Sequence, residues 1–219
     1  SYPARIKYVP KVLFSIQRQS IRPYKVILYL SELNFPRKES QLPSELLDMV
    51  SEHFEIRWVH EDLKPHKKYF YVMQDFKDKI IITVDDDMFY RRDMVERLLK
   101  LHYKYPKCIC ANYVHDIVVK NGKILPYRYW GKKFDNMESP SHLYLAVGFG
   151  GVLYPPNIFK TDDLFDKKKI RTMCLNADDL WLKVHELRSN IPVASGSYYS
   201  PPICLTNTNS LTSKNVSKN

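Results

Sequence analysis

The sequence predicts an α/β domain: a mainly parallel sheet flanked by helices, with a small antiparallel hairpin. Three observations carry this. Apolar, strand-like runs alternate with segments of helical period across the first half of the chain. Lys25-Val-Ile-Leu-Tyr-Leu30 is nearly all apolar, as strands buried on both faces are. Asn121-Gly122 joins two short runs, a strong signal for a tight hairpin.

Each element follows from its own pattern. Tyr8 to Ser20 reads as a helix, because Val9, Val12, Leu13 and Ile16 share one face and Pro10 is tolerated in a first turn. Lys25 to Leu30 is the first strand; Phe54 to Val59 is the second, with Phe54, Ile56 and Trp58 alternating. Pro65 to Phe76 reads as a helix, Lys79 to Val84 as a strand, and Asp93 to Lys104 as a helix with Met94, Leu98 and Leu101 on one face. Cys108 to Val114 is a further strand and Ile117 to Leu125 the hairpin. Residues 126–146 have no period and read as an irregular loop. Val147 to Tyr154 is strand-like, Ala177 to Arg188 is helical with Asn176 placed to cap it, and Ile191 to Tyr199 is the last strand.

At 219 residues there is room for one large domain, here 1–204, without internal repeats; the polar stretch 205–219 lacks apolar periodicity and reads as a flexible tail. The longest apolar run, around Ile80 to Val84, is far short of a membrane span, and the N-terminus has no signal-peptide core. Cys108, Cys110, Cys174 and Cys204 form neither a C-x-x-C pair nor a zinc spacing, which suits reduced thiols in a cytoplasmic protein. The sequon Asn215-Val216-Ser217 is then a chance match. A net charge of +10 calls for an acidic partner, such as nucleotide phosphates, anionic lipid or nucleic acid, or else serves solubility alone. Among the sixteen tyrosines and ten phenylalanines most rings belong to the core, though Tyr also suits a site that grips sugars or bases.

The chemistry concentrates in IITVDDDMFY, residues 80–89. Asp85, Asp86 and Asp87 follow an apolar strand, at the end where open parallel sheets bind ligands. Three adjacent carboxylates repel one another, so a positive charge belongs there. Mg²⁺ or Mn²⁺, shared with a substrate phosphate, fits better than a solvated acidic turn in an otherwise basic chain. Asp178 and Asp179 open a helix, where they either complement its dipole or supply a general base held in its ionised form. Gly148, Gly150 and Gly151 fall within four residues, marking a bend or a close backbone approach to a ligand. Asp62-Leu-Lys-Pro-His-Lys-Lys68 places basic residues at a helix start, either a phosphate site or a solvated turn.

The ordered set IITVDDDMFY, VGFGGVLYPP and ADDLWLKV, with SYPARIKYVPKVLFSIQRQS at the start, resembles GT-A (Rossmann-like) nucleotide-sugar glycosyltransferases over roughly residues 1–200. The likeness is greatest to the inverting, family-two-like bacterial enzymes that build capsule and lipopolysaccharide glycans. It implies a UDP-sugar or similar donor, with Asp85 on the ribose side, Asp87 and Asp85 at the metal and Asp86 nearby. It also implies Lys67 or Lys68 near the base or diphosphate, Pro3 and Arg5 in the N-terminal nucleotide turn, and Gly150 and Gly151 beside the donor sugar. Asp179 is then the base, with Asp178 in place of the family's usual Glu, which leaves the choice between the two open. The family has a full strand ahead of the Ser-Tyr-Pro turn. Here the sequence begins at Ser1, so either the chain is shortened or the sheet is one strand short beside the base pocket.

The expectation is a metal-dependent, inverting sugar transfer to a hydroxyl of a glycan or lipid-linked acceptor, in the cytoplasm or at the inner membrane face through contact with anionic lipid. A metal-dependent nucleotidyltransferase is the first alternative, and it needs no base at Asp179. A non-enzymatic nucleic-acid binder is the second, but the basic and aromatic residues are dispersed and the acidic motif lies where phosphates would go.

Overall fold

The computed structural model describes residues 1–133, 140–196 and 199–206, and the fold is mixed α/β. A 3₁₀ turn (Ile6–Tyr8) leads into α1 (Val9–Gln17), with Pro10 in the first turn where its missing N–H costs no helical bond. Strand β1 (Val26–Ser31) pairs in parallel with β2 (Phe54–Val59), Val26 opposite Phe54, and α2 (Ser44–Asp48) lies between them in the chain. The helix expected over 65–76 is broken. It comprises a 3₁₀ turn at Lys64–His66, α3 (Lys67–Phe70) and α4 (Val72–Asp75), interrupted at Tyr71, whose ring stacks 5.4 Å from Tyr29 of β1.

Next come β3 (Ile81–Thr83), β4 (Met88–Phe89), α5 (Met94–Lys104), β5 (Ile109–Ala111) and β6 (Val114–Asp116). The hairpin β7 (Val119–Lys120) and β8 (Lys123–Ile124) closes through Asn121 (φ 51°) and Gly122 (φ 72°). Both central residues are left-handed, as a primed turn requires. The supposed loop 126–146 instead supplies β9 (Gly131–Lys133) and β10 (Tyr144–Ala146), which flank β6 antiparallel. Three-residue strands are too short to display a period of two.

The rest is β11 (Val152–Tyr154), α6 (Lys167–Lys169) running into a π-helical turn (Ile170–Cys174), α7 (Asp178–Arg188), β12 (Val193–Ser195) and β13 (Ile203–Cys204), which pairs with β4. Of the strand expected over 191–199, 197 and 198 lie outside the described residues, as do 207–219 with the sequon. Leu205 and Thr206, expected to open the polar tail, are tied to the acidic turn: Leu205 N–H donates to the Asp87 carbonyl at 2.8 Å, and Thr206 Oγ1 lies 3.4 Å from Asp87 Oδ2. All four cysteines are free.

The central sheet has the order β12-β5-β11-β3. β12 is parallel to β5, but β11 runs antiparallel to both β5 and β3, so the expectation of a mainly parallel sheet is corrected. An apolar run reports burial, not direction. Successive residues serve opposite cores: Ile109, Val152, Tyr154 and Val193 pack on one face with Trp181 and Leu182 of α7. Cys110, Leu153 and Ala194 pack on the other with Met94 and Leu98 of α5. A third cluster joins β1 and β2 to α1 through Leu30, Phe54, Val9 and Leu13.

Helix α1 therefore bridges the two sheets, sending Val12 and Ile16 to the α5 side. Among the described residues β1 pairs with β2 alone and β3 with β11 alone. Their other edges border a cleft of about 1380 Å³, lined by consecutive residues of both strands, Val26 to Tyr29 and Ile80 to Val84. Lining by every successive residue is the mark of a strand edge, since a strand face would contribute alternate ones. No helix among the described residues is long and apolar enough to cross a membrane.

Candidate active site

The acidic turn leaves the end of β3 and opens onto the cleft, which Asp85, Asp86 and Asp87 all line. Its foundation is Tyr90, buried in the α5-side core. The Asp85 N–H donates to the Tyr90 hydroxyl at 2.8 Å, while the Tyr90 N–H donates to Ser15 Oγ at 3.1 Å. Asp87 is 2% exposed. Arg5 crosses from the N-terminal turn, placing Nη1 3.1 Å from Asp86 Oδ1 and Nη2 3.0 Å from Asp87 Oδ2. Burial pushes the Asp87 carboxyl up, and Asp85 and Asp86 add to the rise against the pull of Arg5.

Lys68, the second residue of α3, answers the charge from the other side. Its Nζ lies 2.9 Å from Asp85 Oδ1, 2.8 Å from Asp178 Oδ2 and 3.9 Å from Asp179 Oδ1. Burial alone lowers an ammonium's pKa; here Asp178, Asp85 and Asp179 together overcome it, and Lys68 is held well above the ordinary lysine range. The positive charge that the three aspartates demand is thus supplied in large part by Arg5 and Lys68.

Helix α7 begins at Asp178, and no side chain caps it. Asn176, expected as the cap, accepts from Lys64 Nζ at 3.2 Å instead. Nor do the two carboxylates cap: Asp178 is buried against Lys68, and Asp179 Oδ2 accepts the Gly148 N–H at 3.3 Å. Asp179 keeps 30% of its side chain exposed at the cleft. Its pKa is raised to about 8, first by burial and then by Asp178, against Lys68. Burial and the neighbouring Asp178 thus disfavour the ionised form that a position at a helix start was expected to favour.

The other predicted residues divide. Pro3 lines the cleft beside Arg5. Lys67, next to Lys68, also lines the cleft, in an ion pair with Asp62 rather than with the acidic turn. Gly150 and Gly151 do not meet the charged groups. A Cβ on Gly150 would lie 2.7 Å from Tyr113 Cβ, and Gly151, with φ +85°, packs on Met94. The glycine at the site is Gly148, where a Cβ would lie 2.4 Å from Lys68 Nζ and 3.1 Å from Asp179 Oδ1. The cluster of glycines was visible in sequence, but the structural role falls on a different member, because residues 148–150 form a 3₁₀ turn where a strand was expected. Tyr90 was passed over, since a buried tyrosine after a strand reads simply as core.

No group of three or more His, Cys, Asp or Glu among the described residues could hold a metal unaided. Asp85 and Asp87 nevertheless offer two hard carboxylates on one turn, the donor number that Mg²⁺ and Mn²⁺ use when substrate phosphates complete the shell. Asp85 and Asp87 are the residues that would hold such a metal, and each already faces a cation, Lys68 or Arg5. No protein-family model matches the chain. No curated protein matches it significantly.

Proposed function

We propose that this chain is a GT-A-type glycosyltransferase that moves a sugar from a nucleotide diphosphate donor, a UDP-sugar, to a hydroxyl of a glycan or lipid-linked acceptor. One observation carries the reading. Lys68 draws the acidic turn after β3 and the two carboxylates that open α7 to the wall of one cleft, with the Gly148 turn between them. A bare acidic turn or a helix cap needs no such convergence.

In this reading Arg5 and Lys68 hold the acidic turn in shape while the donor diphosphate binds over it. Asp85 and Asp87 would hold Mg²⁺ or Mn²⁺, whose charge would offset that of the leaving diphosphate. Asp179 takes the acceptor proton, its position fixed by the Gly148 N–H and by α7. Single displacement inverts the anomeric centre. The nucleotidyltransferase alternative assigns no task to Asp179, whose placement at the cleft favours the transferase.

The deciding experiment is a thermal-shift panel of nucleotide sugars with and without Mn²⁺, since a ligand that binds the native state raises its apparent stability. A Mn²⁺-dependent rise with one nucleotide sugar supports the reading, and a flat response across the panel overturns it.

A further inference from the structure

Beside Asp179 the cleft is bounded by Tyr127, Trp130, Val147 and Phe149. None of these rings has a task in the chemistry above. Tyr127 and Trp130 flank a short 3₁₀ turn (Tyr127–Tyr129), their ring centroids 5.3 Å apart and 61° inclined. Each has its polar tip tied to the protein. The Trp130 Nε1–H donates to the Leu125 carbonyl at 2.7 Å, and the Tyr127 hydroxyl meets His115 Nδ1 at 2.8 Å. Phe149 packs 4.5 Å from Tyr113.

With tips fastened, and with Tyr127 packed against the rings of both His115 and Trp130 at 5.3 Å from each, the two side chains line the cleft already ordered, without loss of rotamer freedom on binding. Tyr127 is 37% exposed. Asp179 is tied to the same wall through the Gly148 N–H, whose chain neighbours Val147 and Phe149 line the cleft with it.

We propose that Tyr127 and Trp130, on the same cleft wall as Phe149, are the acceptor subsite, and that they select a pyranose ring over a flexible alcohol. A sugar's apolar C–H face stacks on an aromatic face, as other amphipathic rings do, while its hydroxyls stay free for Asp179. The inference rests on the transferase reading for the reaction, but the subsite itself is testable alone.

The probe is the intrinsic fluorescence of Trp130, one of three tryptophans, titrated with a panel of methyl hexopyranosides and with hexanol. Binding of UDP with Mn²⁺ is measured in parallel by calorimetry. At least one pyranoside is expected to perturb the fluorescence. Tyr127→Ala should weaken that binding about tenfold, the scale of one lost stacking contact. It should leave UDP binding unchanged, with a modest fall in melting temperature from the lost contacts to His115 and Trp130. Tyr127→Phe keeps the ring and should bind like the native chain.

No response to any pyranoside, equal response to hexanol, or loss of binding in Tyr127→Phe overturns the subsite. Loss of UDP binding in Tyr127→Ala assigns the wall to the nucleotide instead and overturns it as well. Failure of UDP to bind the native chain sinks the transferase reading alone and leaves the pyranoside result to decide the wall.

Discussion

The ammonium of Lys68 stands 2.8 Å from Asp178, a residue 110 positions later in the chain, and fastens the start of α7 to the acidic turn. A half-buried cation facing the buried Asp178 is costly to remove, because the carboxylate left behind is a charge without compensation. Lys68→Met should lower unfolding free energy by about 3–5 kcal/mol, the range for breaking a buried pair from one side. Adding Asp178→Asn should recover part of that, with a coupling of roughly 0.5–3 kcal/mol between the two sites. Urea unfolding of the four chains measures it; strict additivity would show that Lys68 and Asp178 do not act as a pair.

Asp179 gives a pH signature. Its folded pKa, raised to about 8, lies above that of an unfolded aspartate, so the folded chain holds this proton more tightly than the unfolded one. The contribution therefore favours folding at low pH and is lost as pH rises from about 4 through about 8. Melting temperature measured without added divalent metal should fall over that window more steeply in the native chain than in Asp179→Asn. In the transfer assay Asp179→Asn should cost on the order of 10²-fold or more in turnover while keeping donor binding. Turnover close to native in this variant would remove Asp179 as the base; a collapse confined to Asp178→Asn would move the role by one residue.

Asp87→Asn should abolish the Mn²⁺ dependence of UDP binding and leave the chain folded, because Arg5 retains its 3.1 Å contact with Asp86. Calorimetry with and without Mn²⁺ decides. If Mn²⁺ still enhances binding in the variant, Asp87 is not a ligand, and the aspartates serve to anchor Arg5 and Lys68.

Gly148→Ala tests the turn between the two acidic points. The new methyl would crowd Lys68 Nζ and Asp179 Oδ1, so the ammonium must shift among its three carboxylates. Since that group is the end of a flexible side chain, the fold should survive with a modest fall in melting temperature, while turnover drops at least tenfold on the scale of a misplaced catalytic group. Native turnover in this variant would show that Lys68 has freedom to move without consequence.

The excess of basic residues makes a separate prediction. Association with vesicles should require anionic lipid and weaken as salt rises from low to physiological strength, where exposed charges are screened within about 8 Å. Sedimentation with neutral and anionic vesicles at two salt concentrations is the measurement. Equal binding to both, or to neither, would leave the charge of +10 to solubility.

What the sequence determined by itself is local. The apolar runs ending in Leu30 and Val84 placed strands, the Val9-Val12-Leu13-Ile16 stripe placed α1, and Asn121-Gly122 placed the hairpin turn, because period and turn chemistry act over a few residues. The two acidic points were legible for a similar reason: adjacent carboxylates on one strand end or one helix start are a charge pattern visible in the letters. What only the tertiary structure decided is non-local. It alone reveals that β11 runs antiparallel and that β1 and β3 face a cleft, since direction and pairing are set by contacts between distant segments. It assigned Lys68 to the aspartates and Lys67 to Asp62, a choice fixed by where a broken helix points two neighbouring side chains. It singled out Gly148 among three glycines, and it raised the pKa of Asp179, because burial and the field of Asp178 exist only once α7 has docked beside Lys68.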